Sequence, residues 1–200
     1  MTLKPAAPGL RLYEYRLVTD IPETQRLEIE RERLQLAESY GMQQPQTGRP
    51  NIALARFKAV KAMEEKILYR LKLIAMAEKP FTAALKDYNG YPMHAIFIQI
   101  ANQQRVLDLI KNLKQARPLM KLAGDEPHFM LDPQIALAGR LENDKYMDIM
   151  HAYEHRKFTA GFVVDAFLLL RRAEDEQRYR LVKRFELGCL PVSEKQGVLF

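Results

Sequence analysis

Cysteine is nearly absent from this sequence. Cys189 is the only one in 200 residues, which excludes an internal disulfide and any thiolate metal cluster. It reads as a small, inert thiol rather than a nucleophile. Histidine is scarce too: His94, His128, His151 and His155 are the only imidazoles, so acid–base chemistry has few candidates. Neither a glycine-rich phosphate loop nor a Ser/His/Asp constellation is found. Long apolar runs are also missing. The longest, around residues 162–170, is broken by Asp165 and is too short to cross a bilayer. The opening Met-Thr-Leu-Lys-Pro lacks the apolar core of a signal peptide. The expectation is a soluble cytoplasmic protein with no membrane partner and no cofactor.

What is present fits a folded chain. Eleven prolines and nine glycines are ordinary usage, and 48% apolar content is enough for a core in one compact domain of two lobes. The net charge of +6 is moderate. Basic stretches at residues 111–121 and 171–184 tolerate a phosphate-bearing partner, although an ordinary solvated surface is the better explanation.

The strongest signal is a six-residue phrase written twice. Pro50-Asn51-Ile52-Ala53-Leu54-Ala55 returns 83 positions later as Pro133-Gln134-Ile135-Ala136-Leu137-Ala138. Such repetition predicts two related half-structures, each delivering one strand to a shared place. Alternation along a strand puts Asn51 with Ala53, and Gln134 with Ala136, on one face. Ile52, Leu54, Ile135 and Leu137 then point into the two cores.

Around the phrases, periodicity predicts a strand at 10–19, with Tyr13, Tyr15 and Leu17 opposite Leu12, Glu14 and Arg16. A charged helix comes next at 22–40, with Glu28, Arg31 and Glu32 among its solvated positions, then a polar loop at 42–49 and a strand at 51–57. A helix over 62–78 ends at Pro80. A hairpin pairs 81–87 with 93–101 and turns at Asn89-Gly90, with His94 on the apolar face of its second strand. The second half predicts a helix at 103–116 stopped by Pro118, a strand at 134–141 and a helix at 143–155. Strands at 162–171 and 178–186 and a loose tail at 187–200 complete it. The class is α+β: two pseudo-symmetric lobes of antiparallel sheet with flanking helices around a central cleft. The lobes centre on residues 45–100 and 125–186, and strand 10–19 joins the sheet.

In the order and spacing of these parts the chain resembles the 2H phosphoesterase superfamily, particularly its 2′-5′ RNA ligase-like branch. That family carries two Pro-His-h-Thr-h phrases (h apolar). Its closing strand pair is similar to Phe162-Val163-Val164-Asp165, Leu168-Leu169-Leu170-Arg171 and Tyr179-Arg180-Leu181-Val182-Lys183-Arg184-Phe185. The resemblance spans roughly residues 10–190 and implies a phosphodiester site. There one histidine acts as base and the other as acid, and the hydroxyl two residues after each holds phosphate oxygens. Carried over, the histidine positions fall on Asn51 and Gln134 and the hydroxyl positions on Ala53 and Ala136, so all four depart from the pattern.

A carboxamide exchanges no proton near neutral pH, and each lost acid or base costs about 10²–10⁴ in rate. No catalytic residue is therefore expected at the phrases. Asn51 and Gln134 retain the ability to hydrogen-bond a ligand. Arg140 shares their face if the strand stays regular through Gly139, and Tyr13 or Tyr15 could stack on a base. His151 and His155 have metal-ligand spacing but no third partner, so no metal site is expected. His128 comes directly after Pro127, yet Met130 offers no hydroxyl at the required offset.

Three readings are compatible with these residues. The first is a non-catalytic member of this fold that binds a nucleotide, an RNA end or another phosphorylated ligand. The second is an active phosphoesterase or RNA ligase-like enzyme using Arg140 and one of the histidines. The third is a scaffold for a protein partner through the helices at 23–40 and 62–78.

Overall fold

The computed structural model describes residues 11–42 and 48–188. Leu10, residues 43–47 of the polar loop and the tail from Cys189 onward lie outside the described residues.

The strands form two antiparallel sheets. β1 (Leu12–Thr19), β2 (Ala53–Val60), β5 (His128–Phe129), β8 (Ala166–Ala173) and β9 (Arg180–Glu186) make a five-stranded sheet in the order β5-β2-β1-β8-β9. β3 (Phe81–Tyr91), β4 (Ala95–Ile100), β6 (Gln134–Gly139) and β7 (Thr159–Val164) make a four-stranded sheet in the order β6-β4-β3-β7. Helix α1 (Glu23–Ser39) packs against β6 and β7, and α2 (Glu64–Ala77) against β9. Helices α3 (Gln103–Leu113) and α4 (Arg117–Met120) cover β2, and α5 (Asn143–Tyr153) lies on β3 and β4. Each sheet contains one copy of the phrase, as the repeat predicts. The sheets nevertheless do not coincide with lobes centred on 45–100 and 125–186, because β2 pairs within the sheet of β8 and β9 while β3 and β4 join β6 and β7.

Four local expectations are corrected. The strand expected at 162–171 is two strands in different sheets, with Asp165 as the crossing residue. Pro118 does not end the helical region. A 3-10 turn at Lys114–Ala116 leads into α4, where Pro118 occupies the first turn and its missing N–H has no intrahelical partner to lose. Glu32 of α1 accepts a hydrogen bond from the Tyr88 hydroxyl at 2.7 Å instead of facing only solvent.

The fourth concerns Asn89-Gly90, which lies within β3 and not at the hairpin turn. The chain reverses after Tyr91, through Met93 at φ +58° and His94, so His94 is an exposed turn residue and not a member of the apolar strand face. Gly90 is needed for another reason. A Cβ there would lie 2.7 Å from the Tyr146 ring and 3.0 Å from the Ala95 carbonyl oxygen, and Tyr146 is buried. Replacing Gly90 with alanine should destabilise the chain by about 1–3 kcal/mol through overpacking. A lowered urea midpoint at constant slope would register this, and an unchanged midpoint would show that Tyr146 yields freely.

Both copies of the phrase carry the same irregularity. In β2, Leu17 pairs with Ala55 and Val18 with Ala53, leaving Leu54 unmatched. In β6, Ile96 pairs with Ala138 and Phe97 with Ala136, leaving Leu137 unmatched. The bulge falls at the fifth residue each time, and burial follows the same order across all six positions. A bulge adds one residue to one strand and re-aims the side chains beyond it. Leu54 and Leu137 therefore remain buried together with the alanines after them.

Candidate functional site

The first phrase opens onto a pocket of about 330 Å³ on the five-stranded sheet. β1 contributes Arg16 and Val18. The first phrase and β2 contribute Asn51, Ala53, Ala55 and Arg56, and the β5 segment contributes His128 and Met130. The bulge at Leu54 shifts the alternation by one residue, so Arg56 comes to line the pocket with Asn51 and Ala53. The Leu54 carbonyl accepts the Met130 N–H at 3.0 Å, which holds the β5 segment at the rim. Thr19 fixes the phrase from the other side, donating its N–H to the Ile52 carbonyl at 3.0 Å and accepting the Ile52 N–H at its hydroxyl at 3.2 Å.

The pocket lining contains two arginines, one histidine and one carboxamide, and no carboxylate. Arg56 and His128 are exposed and lie opposite each other in the β2–β5 pair. Such a lining, with a floor of alanine, valine and methionine, suits an anionic group attached to a flat or apolar body. The Asn51 amide donates to the Arg49 carbonyl at 2.8 Å, so its side chain is turned toward the backbone that leads into the phrase.

The second phrase is differently furnished. Gln134 is half-buried, and its Oε1 is enclosed without a hydrogen-bond partner. Arg33 of α1, 7% exposed, donates from Nε and Nη2 to the Ala136 carbonyl at 2.9 and 2.7 Å. Its Nη1 donates to the Gly48 carbonyl at 2.8 Å, two residues before the first phrase. One buried guanidinium thus ties the lead-in of one phrase to the middle of the other. Burial draws this arginine down to about 10, with Glu30 opposing the shift. Gln134 and Ala136 are not among the residues lining the pocket beside Asn51.

The remaining candidates disperse. Arg140 comes after the Leu137 bulge and sits exposed at φ +57°, so the regular strand on which its placement depended is not formed. Tyr13 and Tyr15 occupy the face of β1 opposite Arg16 and Val18. Tyr15 is fully buried, stacks on Phe57 at 5.1 Å and donates to Glu64 at 2.9 Å, which places it out of reach of a ligand in the pocket. Tyr13 lies beneath the guanidinium groups of Arg11 and Arg171. His151 and His155 are exposed, and only His151 falls within α5. Among the described residues no group of three metal-ligating side chains is assembled, and no helix is long and apolar enough to cross a membrane.

Sequence reasoning missed Arg16, Arg56 and Arg33, and it set His128 aside. The alternation in β1 did separate Arg16 from the tyrosines. The proximity of His128 to Asn51 depends on a two-residue strand that leaves no periodic trace.

The two antiparallel sheets and their flanking helices match the 2H phosphoesterase fold of LigT. The particular solved structures that the chain resembles make the class concrete. One is Escherichia coli LigT complexed with 3′-AMP, at 19% identity and a TM-score of 0.62, covering 88% of this chain and 98% of LigT. Another is the protein TT0787 of Thermus thermophilus, at 17% identity and a TM-score of 0.61 over the same shares. A third, a phosphoesterase, has 19% identity and a TM-score of 0.53 over 87% of this chain and 98% of its own. No protein-family model matches the chain, and no curated protein sequence does.

Proposed function

We propose that this chain binds a phosphorylated ligand of nucleotide or RNA-end size in the pocket of the five-stranded sheet and does not catalyse phosphodiester chemistry there. The observation that carries the reading is the composition of that pocket. Arg16, Arg56 and His128 provide positive or proton-bearing groups, while Asn51 and Ala53 stand where acid–base and phosphate-holding groups would be required. LigT has been solved with 3′-AMP, with ATP and with phosphate, which supports a nucleotide as the ligand class.

Calorimetric titration with 3′-AMP and with inorganic phosphate tests this. Both should bind, more weakly as salt rises. Arg56→Ala should weaken both by about 10–100-fold, the ordinary cost of a lost hydrogen bond to a charged group. Failure of the unmodified chain to bind either one sinks the proposal.

His128 favours a second reading, an active phosphoesterase with a single imidazole at the rim of the pocket. Turnover of an RNA fragment ending in a 2′,3′-cyclic phosphate, followed by phosphorus NMR, separates the two. Activity in the wild type that disappears in His128→Ala replaces the binding reading with the enzymatic one. For a protein partner, α1 leaves Leu27 and Leu34 exposed, seven residues apart on one helix.

A further inference from the structure

Beside the pocket, on the same face of the five-stranded sheet, four side chains form a cluster that the phosphate site does not use. Tyr179 lies half-buried immediately before β9. The Arg16 guanidinium sits over its ring at 4.3 Å from the centroid, and Arg172 lies over the same ring at 4.9 Å. Glu14 completes the group. It accepts from Nη2 of Arg172 at 2.5 Å and from Nε at 2.9 Å, so this carboxylate is already neutralised by one arginine in a two-point contact.

Arg16 is the surplus cation. It approaches Glu14 only at 3.9 Å, its side chain is 44% exposed, and among the described residues its guanidinium makes no hydrogen bond. What holds it is the ring, and it also lines the pocket. A guanidinium on an exposed aromatic ring gains about 0.5–1 kcal/mol. A phosphate dianion in the pocket offers the same group charge-assisted, two-point hydrogen bonds, which are far stronger. A ligand phosphate that drew Arg16 into the pocket would leave the Tyr179 ring covered by Arg172 alone. Arg172, held by Glu14, stays in place.

We infer that Tyr179 is the floor of a nucleobase subsite, that the Arg16 guanidinium occupies a slot over its ring as a placeholder in the free protein, and that a bound nucleotide exchanges its base for that guanidinium. The inference rests on the proposed phosphate pocket and extends it from an anion site to a nucleotide site. Burial and the neighbouring Glu14 carboxylate push the Tyr179 phenol up to about 12, so the ring stays neutral throughout the physiological range and accepts a base without charge repulsion. The exchange replaces one flat π-system by another, which is why the slot needs no change in backbone.

The sequence contains no tryptophan, so Tyr179→Trp introduces a single fluorescent reporter at the slot. 3′-AMP, which carries a base, should quench its emission, whereas ribose 5-phosphate at equal saturation should not. In calorimetry, Tyr179→Ala should weaken 3′-AMP about tenfold and ribose 5-phosphate less than about twofold, as expected for loss of base stacking alone. Equal weakening of both ligands would mean that Tyr179 only positions Arg16 and would overturn the subsite. So would no change for either ligand, or equal quenching by both. If the wild type binds neither ligand, the phosphate pocket itself fails, and the inference fails with it. That outcome appears in the first titration, before any variant is compared.

Discussion

The wild type should leave a 2′,3′-cyclic phosphate intact, and the fourfold variant Asn51→His, Ala53→Thr, Gln134→His, Ala136→Thr should open it. A positioned acid or base contributes about 10²–10⁴ in rate, so restoring one of each should raise turnover by at least about 10²-fold over wild type. The ground for this expectation is that both phrases carry the same bulge, at Leu54 and Leu137, and the same order of buried and half-buried positions. The demand is greater at the second phrase. The Gln134 Oε1 is enclosed without a partner, so an imidazole must fit the volume that this amide leaves. Phosphorus NMR of an RNA fragment with a cyclic end gives the measurement. A silent variant that still folds would sink the expectation that the two phrases serve one site.

The second large effect concerns stability. Glu64→Ala should cost about 2–3 kcal/mol, measured as a shift in the urea midpoint. Glu64 is 6% exposed and accepts hydrogen bonds from the Arg171 Nη1 at 2.6 Å, from the Tyr15 hydroxyl at 2.9 Å and from Lys61. Removing it leaves Tyr15 and Arg171 without their anion. The cost falls below the ~3–5 kcal/mol of a wholly buried pair because Arg171 and Lys61 reach solvent. Burial alone would raise this carboxyl, but hydrogen bonds from Lys61, Tyr15 and Arg171 outweigh it and hold the group below its ordinary 4.5. A depressed folded value means the unfolded chain takes up the proton first. The contribution is complete above about 4.5 and disappears as pH falls through the depressed folded value. The stability difference between wild type and Glu64→Gln should accordingly shrink in acid. A difference that stays constant to low pH would remove Glu64 as its source.

The two phrases were legible because a strand between apolar neighbours repeats its residue types wherever it repeats its environment. Their shared bulge was not legible, since nothing in Ala53-Leu54-Ala55 marks which residue loses its partner. The division between the sheets was hidden for a similar reason. Residues 162–171 read as one apolar strand, and only pairing shows that β7 and β8 separate at Asp165. Asn89-Gly90 showed how a correct local signal can mislead: the glycine is demanded by the Tyr146 ring and not by a turn. The pocket was half legible. Asn51 and Ala53 came from the repeat, whereas Arg16, Arg56 and His128 converge through strand register, which composition does not encode.

The order of strands has a consequence for how the chain is made. All four strands of one sheet lie between residues 81 and 164, whereas the other draws on residues 12–60 and 166–186 as well as the short β5. During translation the four-stranded sheet is complete while β1 still lacks β8, its partner along Tyr13–Thr19. Until the last strands leave the ribosome, one long edge of β1 remains unpaired, and its closure spans roughly the whole polypeptide. A nascent chain stalled before residue 166 should therefore hold one finished sheet and one with an adhesive edge, the kind of surface to which chaperones bind.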